Sequence, residues 1–366
     1  MLQSSRVLDR LVLRPGGVDS SRAERVMDAL AATAAAYPET PVATFDVVVA
    51  GRRRRIHLKL EGFSPWGSIK GRTAVGLLAS VTPLLTDHSR VIESTSGNLG
   101  VAMAALCQKL GIPFTAVVDN RLPVRMGQTI RNHGGDLLLV AATDDTDHDL
   151  LASRIRAASQ LSTVDSNVVW TNQYENAANP LIHALWTGPE LLTQLPGVQA
   201  IVVAVSTGGT LSGLACATRS TAPDVMVIGA DVVGSRNFGG QPGPRILTGV
   251  GASQPSRHLR NVTCDAVEIV PSWHGIVRCR EWRYKTGLSL GGSSGVVLAA
   301  ALRCFAEHPE LTILACVCPD LGDNYGDTIY DDDWVETQRA ALGGNGECPP
   351  DLWPSVDLIS DRDNAW

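Results

Sequence analysis

The chain has no apolar run approaching about 18 residues, so no segment reads as a helix long enough to cross a bilayer. Its first residues lack the apolar centre and small-residue cleavage site of an export signal. Eight cysteines are present (Cys107, Cys216, Cys264, Cys279, Cys304, Cys316, Cys318 and Cys348), but no two form a CxxC pair. Scattered through a chain this long, they read as reduced thiols and not as a disulfide or zinc framework. These absences give the expectation of a cytoplasmic protein with no metal and no membrane partner. Positive charge is not in excess either: Lys and Arg number 31 against 37 Asp and Glu, a net charge of −6. That balance argues against a nucleic-acid binder. Internal repeats are absent, as are the dinucleotide GxGxxG and the lysine of a Walker loop.

What remains is the composition of an ordinary globular enzyme, 44% hydrophobic and 19% charged over 366 residues. That length exceeds what one core usually fills, so two domains are expected. Short apolar runs at residues 90–93, 113–118, 136–140, 168–170, 200–205, 225–231 and 311–317 alternate with helical patterns, which predicts an α/β protein with mostly parallel sheets flanked by helices. Residues 1–40 form an N-terminal extension with an alanine-rich helix over 20–36, capped by Ser20 or Ser21. Residues 41–79 with 181–342 make a larger domain, 80–180 a smaller one, and 343–366 a Gly- and Pro-rich, poorly ordered tail. The basic run Arg52 to Arg55 falls between two strand-like segments and reads as the solvated tip of a hairpin. Residues 234–255 have no period and are long for a loop, which marks them as functional.

Lys70 lies in Ser64-Pro-Trp-Gly-Ser-Ile-Lys70-Gly-Arg72, where an extended segment turns into a helix, with Ser68 as the expected cap. A lysine in the first turn of a helix is biased to its neutral, nucleophilic form. Three hydroxyl- and glycine-rich loops each open a helix after a strand. Thr95-Ser96-Gly97-Asn98 suits a carboxylate, Ser206-Thr207-Gly208-Gly209-Thr210 a phosphate, and the third is residues 290–295. Strand ends in open α/β sheets are where ligands bind. A reactive lysine, a phosphate cradle and a carboxylate cradle together fit pyridoxal 5′-phosphate with an amino acid.

These motifs resemble the fold-type II pyridoxal-phosphate enzymes, a tryptophan synthase β-like architecture, and among them the cysteine synthase group; the likeness runs from about residue 59 to 336. It implies Lys70 as the lysine that carries the cofactor. Thr95, Ser96, Gly97 and Gln173 would hold the substrate carboxylate, and Asn98 the cofactor's 3′-oxygen. Residues Ser206 to Thr210 would hold its phosphate, and Ser293 would face its ring nitrogen, with Ser294 as the alternative. The family pattern has Asn where this chain has Ser64, and Asp where it has Gly71.

Four departures resemble one branch of the family, typified by N-(2-amino-2-carboxyethyl)-L-glutamate synthase: Leu99, Tyr174 after the glutamine, Ser206 opening the phosphate loop, and residues 319–334. That branch joins O-phospho-L-serine to L-glutamate on the way to 2,3-diaminopropionate in siderophore or antibiotic assembly. The resemblance implies a β-replacement in which Lys70 also moves the α-proton, with Tyr174 and Ser206 bonding the glutamate and Arg245 the phosphate. Arg236, Arg125 and Arg72 are weaker phosphate partners. It also implies a homodimer. A cysteine synthase using sulfide, a serine or threonine dehydratase, and a catalytically silent partner protein are the competing expectations.

Overall fold

The computed structural model describes residues 8, 20–95, 97–140, 149–343 and 357–358. Helix α1 (Ser20–Ala35) is followed by the hairpin β1 (Val42–Val49) and β2 (Arg52–Leu60), then α2 (Lys70–Val81). A first βα run comprises β3 (Arg90–Ser94), α3 (Asn98–Leu110), β4 (Phe114–Val118), α4 (Val124–Asn132), β5 (Asp136–Leu139), α5 (Leu150–Val164) and β6 (Val168–Trp170). After it come α6 (Ala178–Ile182), α7 (Gly188–Gln194), β7 (Ala200–Ala204), α8 (Gly209–Thr221), β8 (Met226–Val232) and β9 (Ala266–Val270). The chain closes with α9 (Ser272–Thr286), α10 (Gly292–Glu307), β10 (Ile313–Cys318), α11 (Asp332–Gly343) and β11 (Asp357–Leu358).

Two sheets result. The smaller has the order β5-β4-β3-β6 and is parallel throughout. The larger runs β11-β1-β2-β10-β7-β8-β9, parallel from β2 to β9, with β1 antiparallel to both its neighbours. Strands β2, β10 and β7 are adjacent and parallel, so the loops leaving their C-terminal ends share one edge. One of those loops leads to Lys70, and another is the Ser206–Thr210 loop. The central strands of the larger sheet are covered on one side by α10, whose run 296–302 is buried all round. Such a helix fits only an interior position.

The arginine run is not the hairpin tip. Ala50 and Gly51 form the tip, both with positive φ (49° and 74°), as a tight two-residue turn requires. All four arginines lie in β2, where alternation sends every second side chain inward. Arg55 donates to both oxygens of Asp46 across the hairpin (2.8 and 3.1 Å). Arg54 is buried, donates to Pro309 O at 3.1 Å and lies over the Phe305 ring.

The helix expected over residues 180–194 is three pieces, because a π-helical turn, His183–Thr187, separates α6 from α7. Helix α8 packs on that turn so closely that a Cβ at Gly213 would lie 2.3 Å from Pro180 O. The sequence reading also passed over β9, α9 and α11, and β11 adds a short pairing to the tail expected to lack order. The caps at Ser20 and Ser21 fall on side chains outside those described, as does Cys348.

Candidate active site

Lys70 opens α2 as expected, but the turn before it is built differently. Ser64, not Ser68, ties the loop: its Oγ accepts from Ser68 N (3.0 Å) and donates to Ser68 O (2.8 Å). The Ser68 hydroxyl is fully buried and makes no hydrogen bond. Lys70 is half-buried and makes no hydrogen bond among the described residues. Burial is the main cause that lowers its pKa from 10.5 to about 8, against the opposing pull of Glu93.

Glu93 is the penultimate residue of β3, just before the Thr95 loop, and is fully buried. Burial raises its pKa to about 7, in part offset by bonds from Thr171 Oγ1 (2.5 Å) and Gln173 N (3.1 Å). Its Oε1 has no partner. Through Gln173 N it fixes the start of the 173–179 loop, and Gln173 Nε2 donates to Ser94 O at 2.7 Å. Tyr174 Oη donates to that same carbonyl at 3.1 Å. The Thr95 hydroxyl accepts from Gly97 N and Gly100 N (3.3 and 3.1 Å), so it satisfies part of the α3 N-terminus. Asn98 is the first residue of α3, and Ser96 lies outside the described residues.

The Ser206–Thr210 loop leaves β7 and opens α8. Gly208 has φ +81°, a left-handed conformation that a side chain disfavours, and its Cβ would meet Leu259 and Ser256. A Cβ at Gly209 would lie 2.1 Å from Asn179 Oδ1, so only glycine lets the loop backbone reach this position. Asn179 Nδ2 donates to Gln173 O (2.7 Å) and Thr207 Oγ1 (3.3 Å), which ties the loop to the smaller sheet's 173–179 segment. Ser206 Oγ donates to Gly251 O at 3.3 Å, and Thr210 Oγ1 lies 3.5 Å from His183 Nε2. His183 sits in the π-helical turn between Thr73 (3.1 Å) and Thr187 (2.8 Å). Burial holds its pKa well below 6.5, with the charges of Lys70 and Arg72 adding to the effect. Wide turns of this kind occur often at functional sites.

Ser293 and Ser294 start α10. Ser294 Oγ donates to Asp320 O at 3.4 Å, whereas the Ser293 hydroxyl faces the Gly249 backbone in the aperiodic loop. The carboxylate of Asp320, just past β10, accepts at Oδ2 from Asn98 Nδ2 and from Tyr325 Oη, both at 2.7 Å.

The arginines separate clearly. Arg72 is fully buried between Glu61 and Glu190 and stacks over Tyr37 and Trp186, so it faces no ligand. Arg125 donates to Asp323 O at 2.6 Å, and Arg236 is exposed. Arg245 is half-buried and makes no hydrogen bond or ion pair among the described residues. Burial lowers its pKa, while the charges of Asp231 and Asp149 raise it and that of Arg121 lowers it. A second loop joins the two sheets: Ser253 Oγ and Gln254 Nε2 donate to Asp149 (2.7 and 2.9 Å), and His258 Nε2 meets Gln173 O at 2.9 Å. Glu93, His183, His258 and Asp320 were not picked out by sequence reasoning. Burial gives each its character, and burial leaves no mark on a single carboxylate or imidazole in a sequence.

A family model described as "Pyridoxal-phosphate dependent enzyme" matches residues 34–319. Among curated proteins, the chain is 34% identical over 312 residues to the N-(2-amino-2-carboxyethyl)-L-glutamate synthase of Ralstonia nicotianae, covering 83% of this chain and 91% of the relative. It is 35% identical over 287 residues to the protein of the same name from Cupriavidus metallidurans, covering 76% and 84%. Among solved structures, it is similar to the O-acetylserine dependent cystathionine β-synthase of Helicobacter pylori (TM-score 0.74, 27% identity, 80% of this chain and 96% of that one). An O-ureido-L-serine synthase is similar at a TM-score of 0.69 and 26% identity, with 80% and 96% covered.

Proposed function

The chain belongs to the pyridoxal-phosphate dependent enzymes, and from that premise we propose that it joins O-phospho-L-serine to the amine of L-glutamate, giving N-(2-amino-2-carboxyethyl)-L-glutamate and phosphate. The observation that carries the choice of substrate is Arg245. Among the described residues this half-buried guanidinium makes no hydrogen bond or ion pair, and a dianionic leaving group suits its planar fork. The two relatives named for this product support the same reading.

The residues present fit the cofactor. Gly208 and Gly209 let the loop backbone pack against Leu259, Ser256 and Asn179 at the N-terminus of α8, where free N–H groups suit a phosphate. Ser68 Oγ, Asn179 Oδ1 and Asp320 Oδ1 are buried oxygens without partners among the described residues, and each belongs to or touches one of the site's loops. When bound, the cofactor supplies an electron sink conjugated to the substrate's Cα. The protein does the rest. Lys70, partly neutral near pH 8, is the residue that would hold the cofactor, and its free amine would take the proton from the substrate's Cα. Thr95, Gly97 and Gln173 orient the carboxylate, and Arg245 draws off the phosphate as the Cβ–O bond breaks. The glutamate amine, guided by the hydroxyls of Tyr174 and Ser206, would give up one ammonium proton to the departing phosphate and bond Cβ through the freed lone pair, and Lys70 would return its proton to Cα.

The test is chemical. The purified protein with pyridoxal phosphate is given O-phospho-L-serine or O-acetyl-L-serine, with glutamate or sulfide as acceptor, and products are identified by mass. The glutamate adduct is expected from O-phospho-L-serine. Cysteine as the only product would overturn this reading in favour of a cysteine synthase; unchanged substrates would favour a silent protein. Arg245→Ala should raise KM for O-phospho-L-serine by about tenfold or more and leave O-acetyl-L-serine unaffected.

A further inference from the structure

Asp320 touches three of the loops at once, two through its backbone and one through its side chain. Its backbone pairs with Ser68, two residues before Lys70, in an isolated antiparallel bridge. Its carbonyl accepts from Gly291 N (3.2 Å) and Ser294 Oγ (3.4 Å), at the start of α10. Its Oδ2 accepts from Asn98 Nδ2 and Tyr325 Oη, both at 2.7 Å, and Asn98 belongs to the other sheet's first loop. The side chain is 2% exposed, and Oδ1 has no partner. Space for it exists only because residue 291 is glycine: a Cβ there would stand 1.9 Å from Oδ1.

An asparagine amide can present either its oxygen or its NH2 to a neighbour, and the two ends differ little in shape. An ionised carboxylate removes that choice, because it can only accept. Facing Asp320, Asn98 must turn its NH2 inward, which fixes where its second N–H and its oxygen point. With Oδ1 unpaired, the carboxylate's charge is compensated only through Oδ2, so the bond to Asn98 is short and charge-assisted.

We propose that Asp320 is a positioning residue that locks the Asn98 amide, so that an N–H and not the carbonyl oxygen is presented to the bound cofactor. The inference rests on the reading of Asn98 as a cofactor contact. Burial raises the Asp320 pKa to about 6, partly offset by the bonds from Tyr325 and Asn98. Cys279, Cys318 and Tyr325 are the other titratable groups facing it, and burial pushes all three upward, so they stay neutral. Below pH 6 a protonated Asp320 could itself donate, and the lock on Asn98 is released.

The test compares wild type, Asp320→Asn, Asn98→Ala, the double variant and Gly291→Ala. It reads the dissociation constant for pyridoxal phosphate, the visible band of the bound cofactor, and that band's titration between pH 5 and 8. Asp320→Asn should weaken cofactor binding about tenfold and remove a transition in the band near pH 6. In the Asn98→Ala background it should change nothing further, because the two act as one unit. A merely structural aspartate would weaken the double variant again and would overturn the proposal. Gly291→Ala, which displaces the carboxylate without removing it, should reproduce the Asp320→Asn spectrum and carries the test if Asp320→Asn does not fold. A wild-type band and affinity in either variant, with Asn98→Ala altered, overturns the role of Asp320 alone. An unaltered Asn98→Ala overturns it together with the reading of Asn98, and a wild type that binds no cofactor overturns the proposed function itself.

Discussion

Arg72 and Glu190 meet through two parallel hydrogen bonds, Nη1 to Oε2 at 2.8 Å and Nη2 to Oε1 at 2.7 Å, with the arginine wholly out of contact with solvent. Glu61 takes the guanidinium's other edge through Nε (2.9 Å) and Nη2 (3.1 Å), and Lys59 Nζ reaches Glu190 Oε1 at 2.5 Å. Two cations and two carboxylates thus balance inside the protein, two residues beyond Lys70. Thr40 closes the cluster: its hydroxyl donates to Glu61 Oε1 (2.8 Å), and its carbonyl accepts from Lys59 Nζ (2.7 Å).

Breaking such a set leaves an uncompensated buried charge. Glu190→Gln should destabilise the fold by about 3–5 kcal/mol, read as a lower denaturation midpoint with unchanged slope. Burial pushes the Glu190 pKa up, but bonds and charges from Arg72 and Lys59 outweigh it and bring the value to about 2. A depressed carboxylate pKa gives stability that is full above the unfolded value of 4.5 and is lost as pH falls toward 2. Wild type should therefore lose stability steeply across that window, and Glu190→Gln should lose less. Equal acid sensitivity in both would show that the cluster does not carry the effect.

The reactivity of Lys70 should appear before any cofactor is added. In cofactor-free protein its amine titrates near 8, against 10.5 for an ordinary lysine. A folded-state pKa that burial has depressed means the neutral amine dominates above about pH 8. Labelling by an amine reagent, followed by peptide mass, should rise with a midpoint near pH 8 at Lys70. Glu93→Gln removes the one charge that raises the Lys70 value and should move the midpoint lower. Lys70→Ala should abolish the visible band of the bound cofactor and all turnover.

Most of this site was legible as loops. The strand-to-helix positions of Lys70, Thr95 and Ser206 follow from short apolar runs ending in Gly, Ser and Thr, and each opens a helix or lies three residues before one; Ser293 also stands in the first turn of a helix, but α9 and not the expected strand precedes its loop. What was not legible depends on three-dimensional enclosure. Ser68 reads as the cap in sequence, and only the turn geometry gives the task to Ser64. Arg72 reads as an anion partner until Glu190, 118 residues later, closes on it. Arg52 to Arg55 read as a solvated tip because charge suggests exposure, whereas Ala50 and Gly51 supply the backbone the turn needs. Helix α9 was missed because charged residues interrupt its apolar face, and its burial comes from packing on α10.

The phosphate cradle depends on the absence of two side chains. At Gly209 a methyl group would overlap Asn179 Oδ1 at 2.1 Å, and at Gly208 it would also meet a φ of +81°. Gly209→Ala must therefore push Asn179 from its bonds to Gln173 O and Thr207, and with it the segment that orients the substrate. Cofactor affinity measured by equilibrium dialysis should fall at least about tenfold, the loss of one good hydrogen bond or more. The interior of α8 is not involved, so the unfolding midpoint of the cofactor-free protein should move little. A variant that keeps wild-type affinity would place the phosphate elsewhere.

Tyr174 and Ser206 stand on opposite sides of the join between the two sheets, and each already has a modest bond. Tyr174 Oη donates to Ser94 O at 3.1 Å, and Ser206 Oγ donates to Gly251 O at 3.3 Å. Both hydroxyls keep acceptor capacity for a charged ammonium or a bridging water. Tyr174→Phe and Ser206→Gly remove them with little change of shape, giving the residues of the cysteine synthase pattern. A hydrogen bond to a charged group contributes about 1.5–3 kcal/mol, so KM for glutamate should rise about ten- to a hundredfold in each variant. The first half-reaction does not involve glutamate, and phosphate release from O-phospho-L-serine alone should be nearly unchanged. Measuring the two half-reactions separately decides the point. If phosphate release falls as much as glutamate transfer, these hydroxyls serve the donor, and the acceptor must be held by other residues.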